Sequence, residues 1–122
     1  MKGVFDTNIL IDYLKGISKA KKEFERYAER HISLVTWMEL LVGATDNASE
    51  RVLRGFFSGF KVQSITQPVA EQAVKLRREY KMRLPDAVIF ATALELGFIL
   101  VTRNIRDFPE SHPGIRVPYN LP

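Results

Sequence analysis

The chain has 122 residues, 46% of them hydrophobic and 26% charged, a balance that fits a globular domain and excludes a disordered or fibrous one. It contains no cysteine, which excludes disulfides, thiol nucleophiles and zinc–thiolate centres together. Net charge is +4, too mild to indicate a nucleic-acid partner by itself. No stretch reads as a membrane span or a secretory leader, so the expectation is one cytoplasmic domain over residues 1–122 without membrane association.

In chain order, Lys2 to Phe5 reads as a strand, followed by a short helix over Asn8 to Leu14 that Gly16 breaks. Ser18 is placed to cap a charged helix reaching about Arg30. His31 to Val35 reads as a second strand, and Thr36 opens the helix WMELLVGA. Asn47 and Glu50 have capping-box spacing ahead of a helix containing Val52, Leu53, Phe56 and Phe57. Lys61 to Ile65 reads as a third strand, and Thr66 or Pro68 starts the long helix PVAEQAVKLRREYKM. Asp86 to Leu96 is predicted helical and closed by Gly97. Phe98 to Val101 is a fourth strand, and Ile115 to Val117 is a candidate fifth. Strands alternating with helices over short connections imply a mainly parallel sheet of four or five strands, covered on both faces. That is a three-layer α/β/α sandwich.

Acidic residues recur where such a sheet ends its strands. Asp6 follows the first strand in VFDTNILIDYL, Glu39 is expected in the first turn of the helix after the second, and Asp107 lies just beyond the fourth. The carboxyl ends of parallel strands are where open α/β sheets form their ligand crevice. Asp86 opens the helix before the fourth strand and reaches the same edge if the Leu84-Pro85 loop bends inward. Each acid also has an ordinary role open to it. Thr36 and Glu39 have capping-box spacing, Asp6 can cap the short helix, Asp86 suits a helix start, and Asp107 suits a surface turn. Asp12 has no strand-end position and reads as a solvated or ion-paired acid.

Four stretches, VFDTNILIDYL, TWMELLVG, LPDAVIFATALELG and LVTRNIRDF, resemble the motifs of PIN domains in their order, most closely those of the VapC type. The resemblance covers almost the whole chain, and the joint occurrence of four motifs is specific. It implies that Asp6, Glu39, Asp86 and Asp107 match the family's acidic quartet. Thr7, Asn8, Thr36, Thr102 and Asn104 match the polar positions that orient the acids or bound water. It further implies a toxin of a toxin–antitoxin pair, homodimerisation, and a small VapB-type antitoxin that blocks the cleft. The segment between Glu39 and Asp86 is short for the family, and GIRVPYNLP matches its last strand only loosely.

The chemistry of such a quartet is consistent with that resemblance. Four carboxylates cannot share a dry cleft as anions without a counter-charge, and hard oxygen donors suit Mg²⁺ or Mn²⁺. The expected activity is metal-dependent endonucleolytic cleavage of RNA. Asp6 and Asp86 would be the direct ligands, with Glu39 and Asp107 acting through water or a second ion. His31 and His112 lie outside the motifs and read as structural and loop residues. Arg83, at the end of KLRREYKMR, and Arg103 are candidate RNA contacts, although a charge run also serves as a solvated face. Phe56, Phe57 and Phe60 are candidates either for core or for an apolar partner groove. Two other readings stay open: a phospho-receiver domain, which needs an aspartate ending the third strand where KVQSIT has none, and a catalytically silent binding module of the same fold.

Overall fold

The computed structural model describes residues 1–121. Its elements are β1 (Lys2–Phe5), α1 (Thr7–Leu14), α2 (Ser18–Glu25), β2 (Glu29–Ser33), α3 (Leu34–Val42), α4 (Asn47–Phe57), β3 (Lys61–Gln63), α5 (Gln67–Tyr80), α6 (Leu84–Leu96), β4 (Ile99–Val101) and β5 (Ile115–Arg116). Every strand pairing is parallel, in the order β3-β2-β1-β4-β5. The chain therefore starts at the centre, builds outward through β2 and β3, and returns to lay β4 against the free side of β1. That reversal leaves a crevice at the carboxyl ends of β1 and β4.

Alternation within the strands makes the three layers. Val4 and Leu100 point into one core with Val69, Ala73 and Leu76 of α5 and the apolar surface of α6. Their neighbours Phe5 and Val101 point into the other, with Ile9, Leu10, Phe24, Leu53 and Phe57 from α1, α2 and α4. Helix α6 is buried at every position from Asp86 to Ala93, as a helix apolar on all sides must be. Gly97 ends it in the left-handed region at φ 71°, which lets the chain enter β4 two residues later. Because α6 finishes where β4 begins, its first turn lies at the opposite edge, where the strands end. No helix among the described residues is long and apolar enough to cross a membrane.

Several boundaries differ from expectation, each for a local reason. β2 ends at Ser33, two residues early, because the Ser33 hydroxyl accepts from Val35 N at 3.1 Å and starts α3 there. Thr36 is therefore a buried helical residue and not a cap, which removes the capping-box role for Glu39. α2 ends at Glu25, well short of Arg30, since Ala28 N bonds to Met1 O at 3.0 Å and pulls the chain into the sheet. Ile17, not Ser18, occupies its N-cap. Asp46, not Asn47, caps α4, accepting from Ser49 N at 2.7 Å. α6 starts at Leu84, ahead of Asp86.

Gly3 is required by close approach. A Cβ at this position would lie 2.8 Å from Tyr27 Cε2, and Tyr27 is buried with its hydroxyl held by Glu23 at 2.7 Å. The ring has no room to yield. Gly3→Ala should therefore destabilise the fold by about 1–3 kcal/mol, the usual range for overpacking. Urea unfolding of both proteins would measure this, and an unchanged midpoint would show that the Tyr27 layer can move.

Candidate metal centre

Asp6 stands at the exit of β1, where its backbone N–H donates to Val101 O across the β1–β4 pair at 2.9 Å. Its side chain is buried and caps α1. Oδ1 accepts from Thr7 N at 2.8 Å, and Oδ2 accepts from the Thr102 hydroxyl at 2.7 Å. Thr102 is the first residue past β4, so strand pairing sets this contact.

The other acids arrive from three further elements. Glu39 lies in the second turn of α3, and its Oε1 accepts from Thr7 Oγ1 at 2.8 Å. Thr36 Oγ1 lies 3.2 Å from the same hydroxyl, so Thr7 and Thr36 tie α1 to α3 beneath Glu39. Asp86, in the first turn of α6, accepts from Arg83 Nε at 3.1 Å. Asp107 accepts from Asn104 Nδ2 at 2.8 Å and returns its own N–H to Asn104 Oδ1 at 3.2 Å. Asn104 N in turn bonds to Thr102 Oγ1 at 3.0 Å.

A cleft of about 190 Å³ collects Asp6, Thr7, Asn8, Ile11, Glu39, Arg83, Asp86 and Asn104. Asp107 lines an adjoining hollow that shares Asn8 and Asn104. Three of the four expected acids thus line one cleft, and the fourth is tied to its rim by Asn104. Among the described residues no three carboxylate or imidazole groups enclose a single point tightly enough to form a ready metal cage. Each acid is instead turned towards its own hydrogen-bond donor.

The sequence matches the PIN domain family over residues 3–110. The chain belongs to the PIN domain family. It is 30% identical over 112 residues to Ribonuclease VapC1 of Methanocaldococcus jannaschii, covering 88% of this chain and 79% of that one. It is 29% identical to Ribonuclease VapC10 of Mycobacterium tuberculosis, with 96% of each chain covered. Among solved structures, a chain of a toxin–antitoxin complex from Klebsiella pneumoniae superposes with a TM-score of 0.91 at 45% identity, covering 98% of this chain and 99% of the other. A chain of DNA-bound VapBC from Salmonella typhimurium superposes with a TM-score of 0.78 at 30% identity, covering 95% and 96%.

In this PIN domain the electrostatics of the cleft are those of an under-neutralised anion cluster. Burial first, and the charges of Asp86 and Glu39 to a smaller extent, raise the Asp6 carboxyl to about 6 against the opposing hydrogen bonds from Thr102 and Thr7 N. Asp86 is likewise raised by burial and by Asp107 and Glu39, with Arg83 opposing. The donor set is all oxygen and the excess charge is negative, which fits Mg²⁺ or Mn²⁺ in donor type and sign. Among the described residues Arg83 is the one cation lining the cleft, and it pairs with Asp86.

Arg103, expected to face RNA, has its guanidinium turned inward onto Asp12, through Nε–Oδ2 at 2.8 Å and Nη2–Oδ1 at 3.0 Å. Asp12 is accordingly the ion-paired acid that its position suggested. The histidines are structural. His31 is buried between Glu29 Oε1 (2.7 Å) and Gln63 Nε2 (2.9 Å), and His112 accepts from Gly114 N at 2.9 Å. The Asp12–Arg103 pair had no local signal in the sequence, since its members lie 91 residues apart.

The raised Asp6 carboxyl makes a signed prediction. The folded state holds this proton more tightly than the unfolded chain, so stability falls as pH climbs from about 4, the unfolded value, to about 6, and the loss levels off above. Two pH units correspond to about 3 kcal/mol at neutral pH. Asp6→Asn removes this penalty, less whatever its amide loses as acceptor for Thr102 and Thr7 N. In EDTA the variant should melt higher than wild type at pH 7 and lose that advantage by pH 4. Paired thermal melts across this range test it, and a difference between the two proteins that stays constant from pH 4 to pH 7 would contradict the shift.

Proposed function

We propose that this PIN domain is a metal-dependent endoribonuclease, the VapC-type toxin of a toxin–antitoxin pair. The observation that carries the reading is the convergence of Asp6, Glu39 and Asp86 on one cleft, with Asp107 at its rim and Asp6 raised by burial and like charge. Support comes from the relatives named as VapC ribonucleases and from the toxin–antitoxin chain that matches over 98% of this one.

Asp6 and Asp86 would hold the Mg²⁺ or Mn²⁺, with Glu39 and Asp107 completing the acidic ring. A bound divalent ion supplies charge stabilisation on a phosphodiester and a more acidic water for in-line attack. The chain's own residues do the positioning. Thr7 and Thr36 fix Glu39 against α1, Thr102 fixes Asp6, and Asn104 fixes Asp107. Asn8 lines both the cleft and the adjoining hollow and is placed to orient water or substrate. Arg83 is paired to Asp86 yet largely exposed, so it stands at the cleft's mouth where an RNA phosphate can exchange for the carboxylate. Single-stranded or looped RNA is the expected substrate, since its splayed backbone can enter an open cleft.

An apolar groove lies beside the acids, lined by Ile11, Leu14, Leu40, Gly43, Ala44 and Leu53, with Ile11 and Glu39 common to groove and cleft. Ile11 and Leu14 in its lining are exposed, as are Met38 and Val42 on α3 and Val52 on α4, two helices that contribute to the groove. This is where we place the VapB-type antitoxin. The sequence left Phe56, Phe57 and Phe60 open as core or as a partner groove: Phe57 is buried core, and Phe56 and Phe60 are half-buried and line a separate hollow of about 420 Å³. At the edge of the second core Phe56 and Phe60 pack with Phe5, Phe24 and Tyr13, while Phe57 packs with Trp37 and Phe56. Homodimerisation is proposed on the family resemblance.

The purified protein should cut single-stranded or loop RNA with Mg²⁺ or Mn²⁺ and stop in EDTA. Asp6→Asn or Asp86→Asn should lower the rate at least about a hundredfold with the fold intact. Cleavage undiminished in EDTA would overturn the metal mechanism, and no cleavage with either metal would favour a silent binding module.

Glu39→Gln separates a metal role from a structural one. The amide can still accept from Thr7 Oγ1, so a structural role predicts near-wild-type turnover. The metal role predicts a loss of tenfold or more at unchanged melting temperature. Kinetics and a melt on the same preparation decide between them.

A further inference from the structure

Asp12 is a buried acid that lines neither the acidic cleft nor its adjoining hollow. Its two oxygens take the fork of Arg103, at 2.8 and 3.0 Å, and Oδ2 also accepts from the Tyr119 hydroxyl at 2.7 Å. Helix α1, the residue after Thr102 and the segment beyond β5 therefore meet at one carboxylate.

What makes this knot more than an internal ion pair is the place of Arg103 in the chain. Thr102, before it, donates to Asp6, and Asn104, after it, donates to Asp107. The Arg103 backbone N–H reaches Asn8 Oδ1 at 3.4 Å. From Arg103 to Gly114 the chain has no helix or strand. The Asp12–Arg103 fork thus joins the Thr102–Asp6 and Arg103 N–Asn8 bonds in fixing the start of that irregular segment to the helical layer, and it is the charged, two-pronged tie of the three.

Building on the metal-dependent reading, we propose that Asp12, Arg103 and Tyr119 form a positioning clamp. By fixing the Thr102–Asn104 turn it sets the placement of Asp6 against Asp107, and so the ion affinity of a cleft that none of the three lines, Arg103 reaching only the adjoining hollow that also holds Asp107. Arg103 is unsuited to bind RNA directly, because withdrawing its guanidinium leaves a buried carboxylate without its counter-charge. Outer residues that orient ligating carboxylates commonly change metal affinity by 10–100-fold when replaced.

The test uses Asp12→Asn, Arg103→Gln, Tyr119→Phe and the double variant Asp12→Asn/Arg103→Gln. Mn²⁺ affinity is measured calorimetrically on the folded, RNA-free protein, and KM and kcat for RNA at saturating Mn²⁺. A clamp predicts that Asp12→Asn and Arg103→Gln each weaken Mn²⁺ binding about tenfold or more, and Tyr119→Phe by a few-fold. The double variant should be no worse than the poorer single, because the residues act as one unit. Simple electrostatics predicts opposite signs, since removing a cation tightens Mn²⁺ binding and removing an anion loosens it. Opposite signs would overturn the clamp. So would unchanged Mn²⁺ affinity with a raised KM in Arg103→Gln, which would return Arg103 to RNA contact. A lowered melting temperature with unchanged affinity would reduce the knot to a structural ion pair. If Arg103→Gln does not fold, Arg103→Lys and Tyr119→Phe keep most of the volume and must still weaken the ion. Wild-type protein that binds no Mn²⁺ would instead overturn the metal-dependent reading itself.

Discussion

A carboxylate fixed at the end of the central strand governs this fold. Asp6 cannot leave its position without breaking the N–H bond to Val101, which is part of the β1–β4 junction. Once β4 returns beside β1, Thr102 is delivered to the same oxygen pair, and the chain beyond it has to turn across the crevice. Helix α1 starts on the Asp6 side chain itself. The strand order is thus the cause of the site, because at the reversal the segments leaving β1 and β4 part and open a crevice over the two strand ends.

Concentrating acids there works against stability, and the structure offsets it in small increments. Asp6 caps α1 and Asp86 occupies the first turn of α6, where helix dipoles favour negative charge by about 0.3–1 kcal/mol each. Every acid of the quartet has at least one hydrogen-bond donor. The Arg83–Asp86 pair adds little, because its arginine is 70% exposed and such pairs contribute about 0–1 kcal/mol. These terms leave Asp6 raised to about 6 and Asp86 raised as well. The cleft remains short of positive charge by construction, and a divalent cation is the species whose sign and hardness answer that shortage.

Strand and helix identities were legible in the sequence wherever period and punctuation agreed. The apolar run of β4, Gly97 before it and the long pattern of α5 all fall where expected. Boundaries failed where a short polar side chain competed for a cap. Ser33 started α3 inside a run that reads equally well as strand, and Asp46 displaced Asn47 one residue away. The strand-end positions of Asp6, Glu39 and Asp107 were legible because topology alone places them. The state of the arginines was not. Arg83 sits three residues from its partner, but Arg103 and Arg116 find theirs 91 and 93 residues away, a distance over which sequence pattern carries no information.

Those two distant arginines solve the same packing problem in the same way. Asp12 takes the fork of Arg103 and the hydroxyl of Tyr119, while Glu23 takes the fork of Arg116 and the hydroxyl of Tyr27. Burial alone would raise Glu23, yet the hydrogen bonds from Arg116 and Tyr27 hold it below the usual range. In both knots the carboxylate comes from the first helical layer and the arginine from the end of the sheet. β4 has three residues and β5 two, too few to fix their register by backbone pairing alone. A slip of one residue would turn Val101 and Ile115 away from their cores and move Thr102 off Asp6. Buried ion pairs add little net stability over apolar contacts, but their demand for one geometry excludes such slips. The polar knots on α1 and α2 therefore hold the register of the sheet edge, and the acidic cleft depends on that register.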